Sequence, residues 1–230
     1  MAYAPTTPYG GGNVMALREG LEKLKKAALL YLVSALLVGI GFASLLMGGA
    51  LFGGTGALAG AVGMLAAALI GAILGLASLF AFLLPAFSRF KEYDSSKFGT
   101  PSTLLKIGYG GGFALLFIAM LVLIGGAVAK SPGILLGGLA LFGISAILLF
   151  IGLIGLIIGS FKLKDVTGEG MFTAAGVLFI IGIFVNILTF IAWILIFVAA
   201  GRALSKLGTG TYAAPATPQA PPSAPPPPPA

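Results

Sequence analysis

Tyr109, Asn186 and Thr189 are the side chains whose types and setting could do chemistry in this chain, because each puts a hydroxyl or an amide into an otherwise apolar stretch. With glycine-exposed carbonyls beside them, they could line a path for a small neutral solute or an ion. A proton-coupled carrier or an intramembrane hydrolase needs more, since ionisable residues carry proton relays and general acid–base steps. None stands inside the apolar stretches, whose remaining polar groups include Tyr31, Ser34, Ser78, Ser145 and Thr173. Such groups bond to neighbouring helices without any further role. Cysteine and histidine are absent, which removes disulfides, thiolate nucleophiles, Ser-His pairs and nearly every transition-metal site. The sequence therefore predicts no catalytic residue, no cofactor and no metal.

Two glycine-rich runs resemble ligand sites and fail as such. Ile107-Gly108-Tyr109-Gly110 has the order of a potassium filter, but Lys106 stands where a neutral oxygen donor is needed and no pore helix precedes it. The same run lacks the Gly-Lys-Ser/Thr ending of a phosphate-cradling loop. Close packing at the start of a span accounts for it. Gly-x-x-x-Gly pairs are no commoner than 36 glycines in 230 residues would give by chance, yet Gly71/Gly75 and Gly155/Gly159 fall in mid-span. They predict close helix packing within one chain first, and a face for a second copy of the chain next.

The elements that must hold these residues follow from composition. At 59% hydrophobic and 8% charged, with a mean hydropathy of +1.12, the chain has more apolar surface than one soluble core could bury. It reads as an integral membrane protein, and recurrent long apolar runs without alternation make the spans helical, giving an all-α transmembrane bundle rather than a β-barrel. Residues 1–13 are a flexible Pro/Gly arm, and 207–230 a disordered Pro-rich tail of extended polyproline character. Between them lie a juxtamembrane amphipathic helix at 14–26 and a transmembrane domain at 27–206. Leu17, Leu21, Leu24 and Ala28 give the amphipathic stretch its stripe; it either lies along the membrane surface or is a solvated extension of the first span.

Spans are expected at about 27–48, 57–87 (distorted near its end by Pro85), 104–129 and 133–161, the last two opened by Thr100-Pro101 and Ser131-Pro132. The final apolar run, 171–201, has no charge over 31 residues. One straight helix of that length would be roughly 46 Å long against a hydrocarbon core of about 30 Å. Asn186 to Thr189 interrupts it, so it reads as a hairpin of two short spans. Six spans in three hairpins result, with five as the alternative. Six place both termini inside with every basic residue except Lys130, as the positive-inside rule prefers. Phe-Lys-x-x-Asp recurs at 90–94 and 161–165, a weak sign of repeated hairpins.

The basic face, rich in Lys23, Lys25, Lys26, Arg89, Lys91, Lys162 and Lys164, is suited to anionic lipid headgroups, and its loops are too short to build a nucleic-acid surface. Only Asn13, Asn186 and Gln219 carry amides, a scarcity that fits a thermophile and equally any very apolar chain.

The segments FKEYDSSKFGTPSTLLKIGY, TGEGMFTAAGVLFIIG and FIAWILIFVA resemble those of uncharacterised archaeal multi-span membrane proteins grouped as domains of unknown function. The resemblance covers about residues 20–206 and implies an archaeal cell-membrane protein, with no functional residue to transfer. Two classes of function stay open. One is a non-enzymatic structural, scaffolding or regulatory membrane protein whose Pro-rich tail docks a protein partner; the other is a channel or carrier for a small neutral solute or ion.

Overall fold

A computed structural model describes residues 14–208; the expected Pro/Gly arm at 1–13 and all but the first two residues of the expected tail lie outside them. The described residues form six helices: α1 (Val14–Ser44), α2 (Leu58–Tyr93), α3 (Ser95–Val128), α4 (Pro132–Thr167), α5 (Gly170–Gly182) and α6 (Asn186–Gly208). All but α5 are long and apolar enough to cross a membrane. The 13 residues of α5 rise only about 20 Å.

Backbone bonding is helical from Val14 through Ala77, yet this stretch folds back on itself. Ser34 Oγ donates to the Gly71 carbonyl at 2.7 Å, Ser78 Oγ donates to the Ala27 carbonyl at 2.7 Å, and a Cβ on Gly41 would sit 3.2 Å from Met64 Cα. Rising numbers on one arm meet falling numbers on the other, so α1 and α2 are an antiparallel hairpin. A second hairpin pairs α3 with α4. The last apolar run breaks into two helices as expected, but the turn is at 183–185, and Asn186 to Thr189, expected to interrupt the run, form the first turn of α6.

Helix ends run further into the charged segments than the spans expected from hydropathy. Asp94 explains the largest shift. Its side chain accepts from the amides of Ser96 (3.0 Å) and Lys97 (3.1 Å), capping α3 at Ser95. Thr100-Pro101 is consequently not a start, and Pro101 lies inside the helix. At the next boundary the start signal holds, with Ser131 extended (φ −101°) and Pro132 first in α4. Partial burial pushes the Asp94 carboxyl upward, but hydrogen bonds from the Ser96 hydroxyl and the two amides, with the charge of Lys97, hold it below the ordinary carboxylate value.

Two turns depart from α-helical bonding. Pro85 has no N–H to give the Ala81 carbonyl, and the backbone just before it widens to a π-helical turn at Ser78–Leu83, with the Leu84 amide on the Leu79 carbonyl. A second wide turn, Lys106–Gly111, contains the Gly-Tyr-Gly run.

The core gathers at the charged end. Leu17, Leu21 and Leu24 of α1, Phe87 and Phe90 of α2, Phe98 of α3, Leu163 of α4, Phe172 of α5 and Ile196 of α6 are fully buried in one cluster. The stripe of residues 14–26 therefore faces protein: these residues continue α1 without a break, Gly20 abuts the Phe90 ring, and Glu19 pairs with Arg89 at 3.1 Å. Gly168, in the left-handed region at φ +71°, ends α4, and the nearly buried Glu169 after it pairs with Lys206. That ion pair ties the α4–α5 turn to the end of α6. Toward the opposite end the two long hairpins expose apolar side chains outward, among them Leu65, Leu69, Leu121, Ile124, Leu136 and Ile147.

Candidate binding cavity

Where the two long hairpins part, a cavity of about 900 Å³ opens between them, a volume in the range of small-molecule sites. All six helices contribute: Tyr31 and Ser34 from α1, Gly71 and Ser78 from α2, Tyr109 and Phe113 from α3, Leu153 and Leu156 from α4, Phe179 from α5, Thr189 and Trp193 from α6. Both wide turns form part of its wall, through Ser78 to Phe80 and Leu83 on one side and Tyr109 with Gly110 on the other. Such turns re-aim side chains by a fraction of a residue, and they are frequent at functional positions.

Two aromatic groups face the space. Tyr31 stacks on Trp193 with ring centroids 4.7 Å apart, and Phe179 meets Trp193 edge-on at 5.5 Å. Across from them Tyr109 and Phe113 are tilted at 6.5 Å, with Phe80 edge-on to Phe113 at 6.4 Å. No charged side chain lines the cavity.

Of the three residues expected as a polar lining, Tyr109 and Thr189 border the cavity, and Asn186 does not. Asn186 is exposed as the first residue of α6, at the turn that splits the last apolar run, so its amide serves the outer surface. Tyr31 and Trp193 complete the site. Tyr31 reads in sequence as an ordinary packing hydroxyl and Trp193 as one more apolar aromatic. Only folding places them opposite Tyr109.

The glycines expected at close contacts sit on helix crossings within the chain. A Cβ on Gly71 would lie 2.7 Å from Val38 Cγ2, and one on Gly75 3.3 Å from Ser34 Oγ. On α4, a Cβ at Gly155 would lie 3.1 Å from the Pro101 carbonyl oxygen, and Gly159 abuts the Phe87 ring. The basic residues expected at lipid headgroups are all at the charged end. Arg89 is bonded to Glu19 (3.1 Å) and Glu92 (2.6 Å), Lys164 lies 3.7 Å from Asp165, and Lys25 Nζ is 5.3 Å from the centre of the Phe197 ring. Lys26 and Lys91 are exposed, Lys23 and Lys162 half-buried.

Among the described residues no group of three or more carboxylates is placed to hold a metal ion. The arrangement suits binding of an apolar molecule through shape and a few hydroxyls. No curated protein and no solved structure matches the chain. A family model described as a protein of unknown function, DUF973, matches residues 18–229, and the chain belongs to that family.

Proposed function

We propose that the protein is a multi-pass membrane protein of the cell envelope with both termini on the cytoplasmic face, acting without catalysing a reaction, as a structural or regulatory component. The observation that carries this reading is the segregation of its surface. Twelve of the thirteen basic residues and all six acidic ones belong to the end where α1 begins, α2, α4 and α6 end, and α3 and α5 begin. Beyond that end the helices turn large apolar side chains outward, as a bilayer requires and water penalises. Near the cytoplasmic leaflet each exposed basic side chain contributes about 1 kcal/mol of attraction to anionic headgroups. The Pro-rich segment that follows Gly208 in the chain can tether a protein partner.

The alternative, a conducting path for an ion or a small neutral solute, finds less support. The cavity walls are apolar, and Asn186 stands outside them. Single cysteines at Ser131 and Asn186 should label from outside intact cells, with cysteines at Arg18 and Lys206 protected. Vesicles reconstituted with the full chain should pass glycerol and potassium no faster than empty ones. Labelling of 206 from outside would overturn the topology, and a flux abolished by Thr189→Val would establish the conducting reading instead.

A further inference from the structure

The cavity is elongated, and its two ends differ in chemistry. Along α3 its wall runs from Tyr109 to Met120, and along α1 from Tyr31 to Val38. Eleven residues of helix make that length about 16 Å. At the deep end, toward the charged core, stand Tyr31, Ser78, Tyr109 and Trp193. Toward the other end the lining is Val38, Ala68, Phe117 and Met120. A molecule filling the space therefore meets hydroxyls at one end only.

These hydroxyls are not equivalent. Ser34 and Ser78 spend their protons on the carbonyls of Gly71 and Ala27. Tyr31, Tyr109 and Thr189 have no hydrogen-bond partner among the described residues. Three hydroxyl donors on an apolar cavity call for an acceptor, since a donor without one costs about 1–3 kcal/mol once water is excluded. An ion is the wrong occupant, because nothing on the lining carries a charge to offset its desolvation. Aromatic faces on two sides of the deep end favour a flat head.

We propose that this cavity binds an uncharged lipid bearing a carbonyl oxygen, with the carbonyl accepting from Tyr31 and Tyr109 and an apolar tail lying along α1 and α3 toward Val38 and Met120. The proposal rests on the membrane location given above, since the bilayer is the source of such a molecule. Two neutral carbonyl lipids share this chemistry, a quinone with a hydrocarbon tail and a diacylglycerol, and they differ in the shape of the head.

Trp193 is the single tryptophan of the chain and lines the site, so its emission reports occupancy directly. The full chain, purified in detergent, is titrated with decylubiquinone, with dioctanoylglycerol, and with decanoate at neutral pH as a charged control. A saturable change in Trp193 emission with the quinone or the diacylglycerol, and none with decanoate, is expected; which of the two saturates names the source. Tyr31→Phe and Tyr109→Phe should each weaken that binding about fivefold, the size of one net hydrogen bond, with helicity unchanged by circular dichroism. Ala114→Phe fills the cavity and should abolish saturation. A linear, non-saturable change that Ala114→Phe leaves intact would mean partition into detergent and would overturn the proposal, as would tighter binding of decanoate. Carbonate extraction of the same cells tests membrane residence separately, so failure of one reading is not mistaken for failure of the other.

Discussion

The two long hairpins do the same job by different chemistry. In α1/α2 the arms are joined by hydroxyl-to-carbonyl bonds, Ser34 to Gly71 and Ser78 to Ala27. In α3/α4 no such bond crosses among the described residues; instead the backbones touch. A Cβ on Gly108 would fall on the backbone of Gly152, and one on Gly152 would lie 2.9 Å from the Tyr109 amide nitrogen. Further along, Gly112 meets Leu149, Gly126 meets Ile134 and Leu135, and Gly138 meets Leu123. In the bilayer proposed above, lipid would offer no hydrophobic drive between helices, so association would come from dispersion at close range or from polar bonds across the gap. Both hairpins use close contact, since Gly41 and Gly71 also approach the facing arm in the first, but only the first adds polar bonds. The difference teaches that loss of a hydroxyl should give a graded response in the first hairpin, while the second depends on steric fit alone.

The sharpest way to break the comparison is Gly108→Val. Backbone cannot yield as a side-chain tip can, so the crossing must open, and destabilisation of about 3 kcal/mol or more is expected, at or above the upper range for overpacking. Thermal unfolding in detergent measures it. Disulfide formation between cysteines placed at Leu123 and Gly138 should fall in the same variant. A loss under about 1 kcal/mol would show that the second hairpin does not depend on backbone contact.

The join between the hairpins should be intermediate. Asp94→Ala removes the cap of α3 and is expected to cost about 1 kcal/mol at neutral pH. The sign with pH follows from the lowered folded-state value. A depressed carboxyl stabilises fully above its unfolded value of about 4 and stops doing so as pH falls through the folded value. Wild type and variant should therefore converge on acidification below about pH 4, a window that unfolding at stepped pH can follow.

Ser34→Ala and Ser78→Ala should be gentler, each about 0.6 kcal/mol and at most about 1.7, the range of interhelical bonds in membrane bundles. The two bonds lie at different levels of the hairpin, so the double variant should be close to additive. Cooperativity well beyond the sum would mean that the wide turn at Ser78–Leu83 forms only when both bonds are made.

Much of the fold was legible because long apolar helices announce themselves by length. The hairpin in the last run followed from about 46 Å of apolar helix against about 30 Å of hydrocarbon. Helix ends were less so. Thr100-Pro101 looked like a start because proline suits a first turn, but Asp94 offers a carboxylate to two amides and wins. The recurring Phe-Lys-x-x-Asp also has two outcomes: Asp94 is a cap, whereas Asp165 stays inside α4 beside Lys164. The cavity was hardest to see. Tyr109 and Thr189 stood out as polar groups in apolar surroundings, but Tyr31 and Trp193 join them only because α1 and α6 pack side by side, an arrangement that no local spacing encodes.

The smallest effect sharpens the comparison at the base of the second hairpin. Ser102, on α3 near the crossing of Pro101 and Leu104 over Gly155, is fully buried, and its Oγ has no partner. If glycine contact alone holds this hairpin, the hydroxyl contributes nothing and carries a desolvation cost of about 1–3 kcal/mol, partly relieved where its proton can share a carbonyl of its own helix. Ser102→Ala keeps the Cβ, deletes the oxygen and raises helix propensity by a few tenths of a kcal/mol. The variant should be neutral or more stable by up to about 1 kcal/mol, with the Leu123 to Gly138 disulfide forming as readily as in wild type. A loss of stability equal to that of Ser78→Ala would show that Ser102 makes a polar bond across the crossing, and that the two hairpins share one chemistry after all.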